Sequence, residues 1–266
     1  MQKKAAIIQD ISCLGKCSAG VALPVVSHFN IECALLPTAL LSAHTGFRNY
    51  TCIDLTDNMK QTIADWKKEG VTFDGVYSVY MLNEKQIELS ASFIDEFANK
   101  DAFVLVDPVM GDDGKAYSML SESYGRKMKQ LISRADVITP NLTEAALLLE
   151  RDPVLENYDE KLIEDMLREL KKKGAGLPMI TGVSFEKNRI GAAFLKDEKL
   201  CYISSKKFDG KFCGTGDTFA SVVFGSMMNG VPVEAAVEKA LSVVEKAILN
   251  DPKWYGISFE SALCDI

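Results

Sequence analysis

Phe103-Val104-Leu105-Val106-Asp107-Pro108-Val109-Met110-Gly111-Asp112 decides the fold. Its first four residues form an unbroken apolar run, the pattern of a strand buried on both faces, and such strands belong to parallel sheets covered by helices. Asp107-Pro108 then stops the run, because proline has no N–H for the ladder and aspartate favours a turn. In open α/β sheets, ligands sit beyond the carboxyl ends of the strands. The polar tail of this segment is therefore both a strand end and a candidate binding edge.

Upstream, apolar runs at 5–9, 31–36 and 76–79 read as strands. Between them, 17–29, 55–69 and 84–98 read as helices; in the second, Met59, Ile63 and Trp66 recur at helical spacing. Downstream, the spacing predicts helices over 121–133, 142–149 and 159–173, with strands at 137–138 and 177–180. Segments 191–195 and 200–204 read as a hairpin turning through the polar run 196–199. Helices follow over 217–229, 233–249 and 259–263. Repeated β-α units predict an α/β fold whose central, mostly parallel β-sheet is flanked by helices on both faces. No repeat or linker interrupts it, so 1–266 reads as a single domain.

The 266 residues are 47% apolar and 25% charged, with a net charge of -7. No basic stripe is present, which argues against a nucleic-acid partner. The seven cysteines, Cys13, Cys17, Cys33, Cys52, Cys201, Cys213 and Cys264, are odd in number and form no paired CxxC. A disulfide framework or structural zinc site is not expected, and reduced thiols in a cytoplasmic protein are. The apolar run near the N-terminus is too short for a signal peptide, and no stretch is long enough to span a bilayer, so no membrane association is expected.

Polar residues follow four predicted strands: Asp10; Asp107 to Asp112; Thr139-Pro140-Asn141-Leu142-Thr143-Glu144; and Thr181-Gly182. Each alone would read as a turn; together they favour a site. The sharpest signal is Phe212-Cys213-Gly214-Thr215-Gly216-Asp217-Thr218-Phe219-Ala220-Ser221. Its glycines allow close backbone approach, and the following apolar-periodic run puts the loop at a helix N-terminus, where free N–H groups attract anions. It is neither a Walker A loop nor a Rossmann fingerprint. Taken alone, Asp217 reads equally well as an N-cap or as a functional carboxylate. His28 reads as packing or surface, Cys213 as a small buried residue, and Lys171-Lys172-Lys173 as a solvated helix end. Cys13 and Cys17 lack the further ligands a metal site needs.

Gly214-Thr215-Gly216-Asp217 resembles the GxGD anion-hole motif of the ribokinase-like superfamily. Asp107 to Asp112 and Thr139 to Glu144 are similar to the DPVxGD and TPNxxE motifs of its vitamin-kinase branch, which holds pyridoxal kinases and hydroxymethylpyrimidine kinases. The motifs fall in the family's order and span nearly the whole chain. Ser42-Ala43-His44-Thr45-Gly46-Phe47 resembles the SxHTGY segment of the pyridoxal kinases, and Tyr80 a tyrosine near their substrate ring. Ile8-Gln9 resembles the start of their first substrate loop, but Asp10 stands where they usually carry serine, and 11–19 also depart.

The resemblance implies an ATP-dependent kinase for the 5′-hydroxymethyl group of a B6 vitamer. It implies that Asp217 takes the hydroxyl proton while Gly214, Thr215 and Gly216 hold the phosphoryl group. It further implies that Asp107, Asn141 and Thr181 contact ATP, that Asp112 and Glu144 organise Mg²⁺, and that Thr139 helps hold a monovalent cation, K⁺ or Na⁺. Asp10, His44, Thr45 and Tyr80 are implied to line the vitamer pocket, and a homodimer is implied. The chemistry is coherent: phosphoryl transfer needs positioning and charge neutralisation, and an alcohol nucleophile needs a proton acceptor. Hydroxymethylpyrimidine is the rival acceptor, a sugar the more distant one, and a non-catalytic vitamer sensor the rival of another class.

Overall fold

The computed structural model describes residues 2–118, 120, 121, 123–250 and 252–265. In chain order the elements are β1 (Lys3–Ser12), α1 (Ala19–His28), β2 (Ile31–Leu41), β3 (Cys52–Asp54), α2 (Thr56–Lys68), β4 (Phe73–Ser78), α3 (Glu84–Phe97), β5 (Ala98–Val106), β6 (Gly111–Asp112), β7 (Lys115–Ala116), α4 (Tyr124–Ile132), β8 (Val137–Ile138), α5 (Leu142–Leu149), α6 (Glu160–Lys172), β9 (Leu177–Val183), β10 (Arg189–Lys196), β11 (Lys199–Lys206), α7 (Thr215–Met228), α8 (Val233–Leu249) and α9 (Phe259–Ala262). Among the described residues, nine strands form one sheet in the order β11-β10-β9-β8-β5-β4-β1-β2-β3, and β6 pairs with β7 as a separate ribbon. β1–β2, β5–β8 and β8–β9 are parallel; β2–β3, β9–β10 and β10–β11 are antiparallel. The mostly parallel sheet flanked by helices is the fold the sequence predicts.

The chain divides into two compact units, Met1–Tyr77 with Phe97–Phe103 and Phe208–Ile266, and Ser78–Glu96 with Val104–Lys207. The first unit is built on β1, whose Ala5, Ala6, Ile7 and Ile8 are fully buried. Helix α1 packs on α7, and α7 is buried over most of its surface from Thr218 to Ser226. Phe224 of that helix stacks on Tyr77 at 5.3 Å and lies 5.8 Å from Phe103. Burying such a ring stabilises by roughly 1.5–3 kcal/mol, so α7, which carries Asp217 in its first turn, is firmly seated.

The second unit is built on Leu105, Val106, Val137, Ile138, Met179, Ile180 and Phe194, all at most 1% exposed. Helix α6 covers part of it with Ile163, Met166, Leu167 and Leu170, spaced along one face, and Asp159 caps its start by accepting from the Leu162 N–H at 2.8 Å.

The differences from the sequence reading are local. Helix α7 begins at Thr215 with Gly214 as its N-cap, so Asp217 lies in the first turn and is not the cap. In the β10–β11 hairpin Lys196 pairs with Lys199, which shortens the turn to Asp197-Glu198, both at positive φ. The edge strand β3 and the β6–β7 ribbon are additional elements. Cys213 is half-buried, and none of the seven cysteines is joined in a disulfide. No helix among the described residues is long and apolar enough to cross a membrane.

Candidate active site

In the first unit, the start of α7 is left open. Its N-cap is Gly214, which offers no side chain to the first turn. The N–H groups that begin a helix have no partner within it, so here they point outward as donors. Gly214 has φ +83°, and a Cβ there would stand 2.0 Å from the Lys16 carbonyl oxygen; only glycine fits. Gly216 is different: a Cβ there would meet nothing within 4 Å. Its bare backbone faces open space, the arrangement of a cradle that a ligand could fill.

Asp217 stands one residue beyond that cradle and is half-buried. Gln9 Nε2 donates to its Oδ1 at 2.6 Å, and the Ser18 backbone N–H donates to its Oδ2 at 3.0 Å. The carboxylate is thus held by the end of β1 and by the residue before α1. Burial raises its pKa above the usual carboxylate value, and the hydrogen bonds from Ser18 and Gln9 only partly offset this. A fixed carboxylate with a raised pKa is suited to accept a proton. Gln9 Oε1 is buried without a hydrogen-bond partner.

Asp10, the residue after Gln9, is 5% exposed, and its Oδ2 accepts from Ser12 Oγ at 3.2 Å. Burial first, and then the charge of Asp217, raise its pKa to about 6, against hydrogen bonding from Ser18 and Ser12. The β1–β2 register shifts between Gln9 and Ile11, at this residue, as in a β-bulge that re-aims a side chain. His44 is buried, and its Nδ1 accepts from the Gly46 N–H at 2.9 Å, so it caps its own turn. Its ring lies edge-on to Phe47 at 4.8 Å, and Phe47 in turn meets the exposed Trp254 at 4.4 Å. Thr45 is exposed.

In the second unit, a different polar group gathers. Asn141 and Glu144 form a capping box at the start of α5: the Glu144 N–H donates to Asn141 Oδ1 at 2.9 Å, and the Asn141 N–H donates to Glu144 Oε2 at 2.9 Å. Asn141 Nδ2 donates to the Gly111 carbonyl at 2.9 Å, and Glu144 Oε1 accepts from the Met110 N–H at 3.1 Å. The two motifs of this unit are thereby stitched together. Burial, and then the charge of the nearby Asp107, push the Glu144 pKa up. Asp107 is 8% exposed. Thr139 Oγ1 is buried with no hydrogen-bond partner. Asp112 is exposed on β6, Thr181 is half-buried beside Pro140, and Tyr80 is half-buried just after β4. No cluster of three or more His, Cys, Asp or Glu side chains able to cage a metal occurs among the described residues.

Sequence reasoning passed over Gln9 and Ser18 as partners of Asp217. Gln9 was visible as a polar residue closing an apolar strand; the Ser18 contribution is a backbone N–H and carries no side-chain signal.

The fold and these groups define a ribokinase-like phosphotransferase that acts on a hydroxyl group. The chain belongs to the phosphomethylpyrimidine kinase family, which matches residues 64–257, and it falls in the branch that includes pyridoxal kinases. Pyridoxine kinase of Bacillus subtilis (strain 168) is 30% identical over 198 residues, covering 73% of this chain and 70% of that relative. Hydroxymethylpyrimidine/phosphomethylpyrimidine kinase of the same organism is 30% identical over 196 residues, again covering 73% and 70%. A Bacteroides thetaiotaomicron protein provisionally named a phosphomethylpyrimidine kinase, crystallised with pyridoxal, is 34% identical with a TM-score of 0.93, covering 100% of this chain and 96% of its own.

Proposed function

We propose that the protein transfers a phosphoryl group from ATP to the 5′-hydroxymethyl group of a vitamin B6 vitamer, pyridoxal, pyridoxine or pyridoxamine, with Asp217 as general base. The observation that carries this reading is the Asp217 carboxylate, held by Gln9 and Ser18 beside the uncapped start of α7. The N–H groups of Gly214, Thr215 and Gly216 hold the transferring group, and the bare Cα of Gly216 leaves room for it. Asp217 accepts the hydroxyl proton as the oxygen attacks. Asp10, His44 and Thr45 line the vitamer pocket. Asp107, Asn141 and Thr181 contact the nucleotide.

Mg²⁺ would be the divalent ion and would supply charge neutralisation at the phosphates. It prefers oxygen ligands and keeps several waters, which suits the sparse set of Asp107, Asp112 and Glu144 better than a closed cage. Glu144 already accepts two N–H bonds, so it acts by fixing the DPVxGD-like segment and through water. Thr139 Oγ1, buried without a partner, fits a monovalent cation, K⁺ or Na⁺. We read 1–266 as one cytoplasmic kinase domain that works as a homodimer.

The pyridoxal in the Bacteroides crystals supports the B6 reading. Hydroxymethylpyrimidine is the second reading, because the family description and the second Bacillus relative favour it as strongly. The test is an acceptor panel with ATP and Mg²⁺, comparing three B6 vitamers, hydroxymethylpyrimidine and ribose. The B6 reading expects a vitamer to give the highest kcat/KM; hydroxymethylpyrimidine ranking first would replace it.

A further inference from the structure

Two thiols flank the anchoring of Asp217. Cys17 precedes Ser18, whose N–H holds the Asp217 carboxylate. Cys213 precedes Gly214, the N-cap of α7. The two backbones are in close contact: a Cβ on Gly214 would touch the Lys16 carbonyl oxygen and lie 3.9 Å from the Cys17 nitrogen. The thiols face one another across that contact and share a hydrogen bond, as both also sense the Asp217 charge. Cys17 is buried, and Cys213 is half-open to solvent.

We propose that Cys17 and Cys213 are a redox-sensitive pair, oxidised to a disulfide by small-molecule disulfides, and that this bond turns phosphoryl transfer down. The hydrogen bond from Cys17 pulls the Cys213 thiol below its ordinary range, against burial and the Asp217 charge; the same contact, with burial, pushes Cys17 up. Cys213 is therefore the attacking sulfur and Cys17 the resolving one. The Cys213 thiolate attacks one sulfur of the external disulfide and expels one thiolate. Cys17 then loses its proton, attacks the Cys213 sulfur and releases the second thiol. Two protein thiols become one disulfide, and one external disulfide becomes two thiols.

The covalent bond is shorter than the thiol–thiol contact it replaces. The Lys16–Gly214 contact has no slack, so the contraction falls on the neighbours, Ser18 and the first turn of α7. Both position Asp217 and the N–H cradle. The effect on rate rests on the kinase reading; the formation of the bond does not.

The test uses the full chain, reduced and then incubated with glutathione disulfide. Peptide mapping without reductant should find one new linkage, joining Cys17 to Cys213. Acceptor-dependent ADP release should fall on the order of 10–100-fold, as expected for a small misplacement of a reacting group, and return with dithiothreitol. Cys213→Ser should keep its own reduced rate when the oxidant is added, whereas Cys17→Ser, lacking the resolving thiol, should stop at a Cys213–glutathione mixed disulfide. In the parent protein, a stable mixed disulfide on Cys213, a Cys13–Cys52 linkage in place of the expected one, or a linked protein that keeps its full rate would overturn the proposal. If the reduced protein phosphorylates no acceptor but the Cys17–Cys213 linkage forms, the kinase reading fails and the thiol pair stands.

Discussion

Helices α5 and α7 both begin at motifs that the sequence marks as polar, yet the two starts are built in opposite ways. At α5, Asn141 and Glu144 satisfy each other's backbone donors, and their remaining atoms tie down Gly111 and Met110. At α7, the cap is a glycine with no side chain to give, and the first carboxylate, Asp217, is turned toward Gln9 and Ser18. A start closed by its own side chains stabilises the fold and fixes the loop next to it. A start left open, beside a glycine whose missing Cβ would face empty space, costs stability and leaves its donors available, which is why we propose it as the phosphoryl site. The comparison separates residues that hold the second unit's loops in place from residues of the first unit that we propose meet the reacting group.

The strongest way to break this comparison is Asp217→Asn. The amide keeps the shape but accepts a proton poorly. We expect kcat to fall roughly 10²–10⁴-fold while the acceptor still binds, measured by steady-state rates and calorimetric titration. Near-normal turnover would reject Asp217 as the base.

The two glycines sharpen it next. Gly214→Ala should lower stability by more than about 2 kcal/mol, because its Cβ would strike a backbone oxygen at positive φ. Gly216→Ala should change stability by less than about 1 kcal/mol yet reduce kcat/KM, since the methyl group occupies the open cradle. Urea unfolding with kinetics on the same samples distinguishes them, and equal behaviour of both variants would contradict the assignment.

Asp10 gives a pH-dependent effect. Its folded pKa, about 6, lies above the unfolded value near 3.8, so the folded state binds the proton more tightly. Stability from this group is present below the unfolded pKa and is lost as pH rises through the folded one. Asp10→Asn should therefore be more stable than the parent at pH 8, by roughly 3 kcal/mol, and about equal at pH 4. Parallel stability curves over that range would show that the carboxyl is not strained by burial. The smallest effect is expected at the closed helix start. Asn141→Ala should cost about 1 kcal/mol through loss of the cap and raise the KM for ATP, since we propose that the same side chain contacts the nucleotide; an unchanged KM for ATP would leave Asn141 a cap alone.

Much of this was legible in the sequence. The run from Phe103 to Val106 gave its strand because burial on both faces leaves no polar residue in it. Helix α8 is legible over 233–249 because its apolar positions recur at helical spacing between Pro232 and Asn250. Three short strands have no such signal. The three residues of β3 are all exposed and show no apolar alternation, since β2 alone holds them. The strands of β6 and β7 are two residues each, too short for any period, although Asp113-Gly114, both at positive φ, is the dipeptide that favours such a turn. In the site, the motif residues were legible, but their partners were not. Gln9 and Asp217 are 208 positions apart, and only the fold brings them to 2.6 Å.

The most direct test of the central claim is the product balance of the reduced protein. ATP, Mg²⁺ and a B6 vitamer are mixed with catalytic amounts of protein, and ADP and phosphorylated vitamer are followed together. The account predicts equal amounts of both products and no ADP above background when the acceptor is left out. Tight binding of the vitamer with no acceptor-dependent ADP would contradict it and leave a protein that senses the vitamer without modifying it.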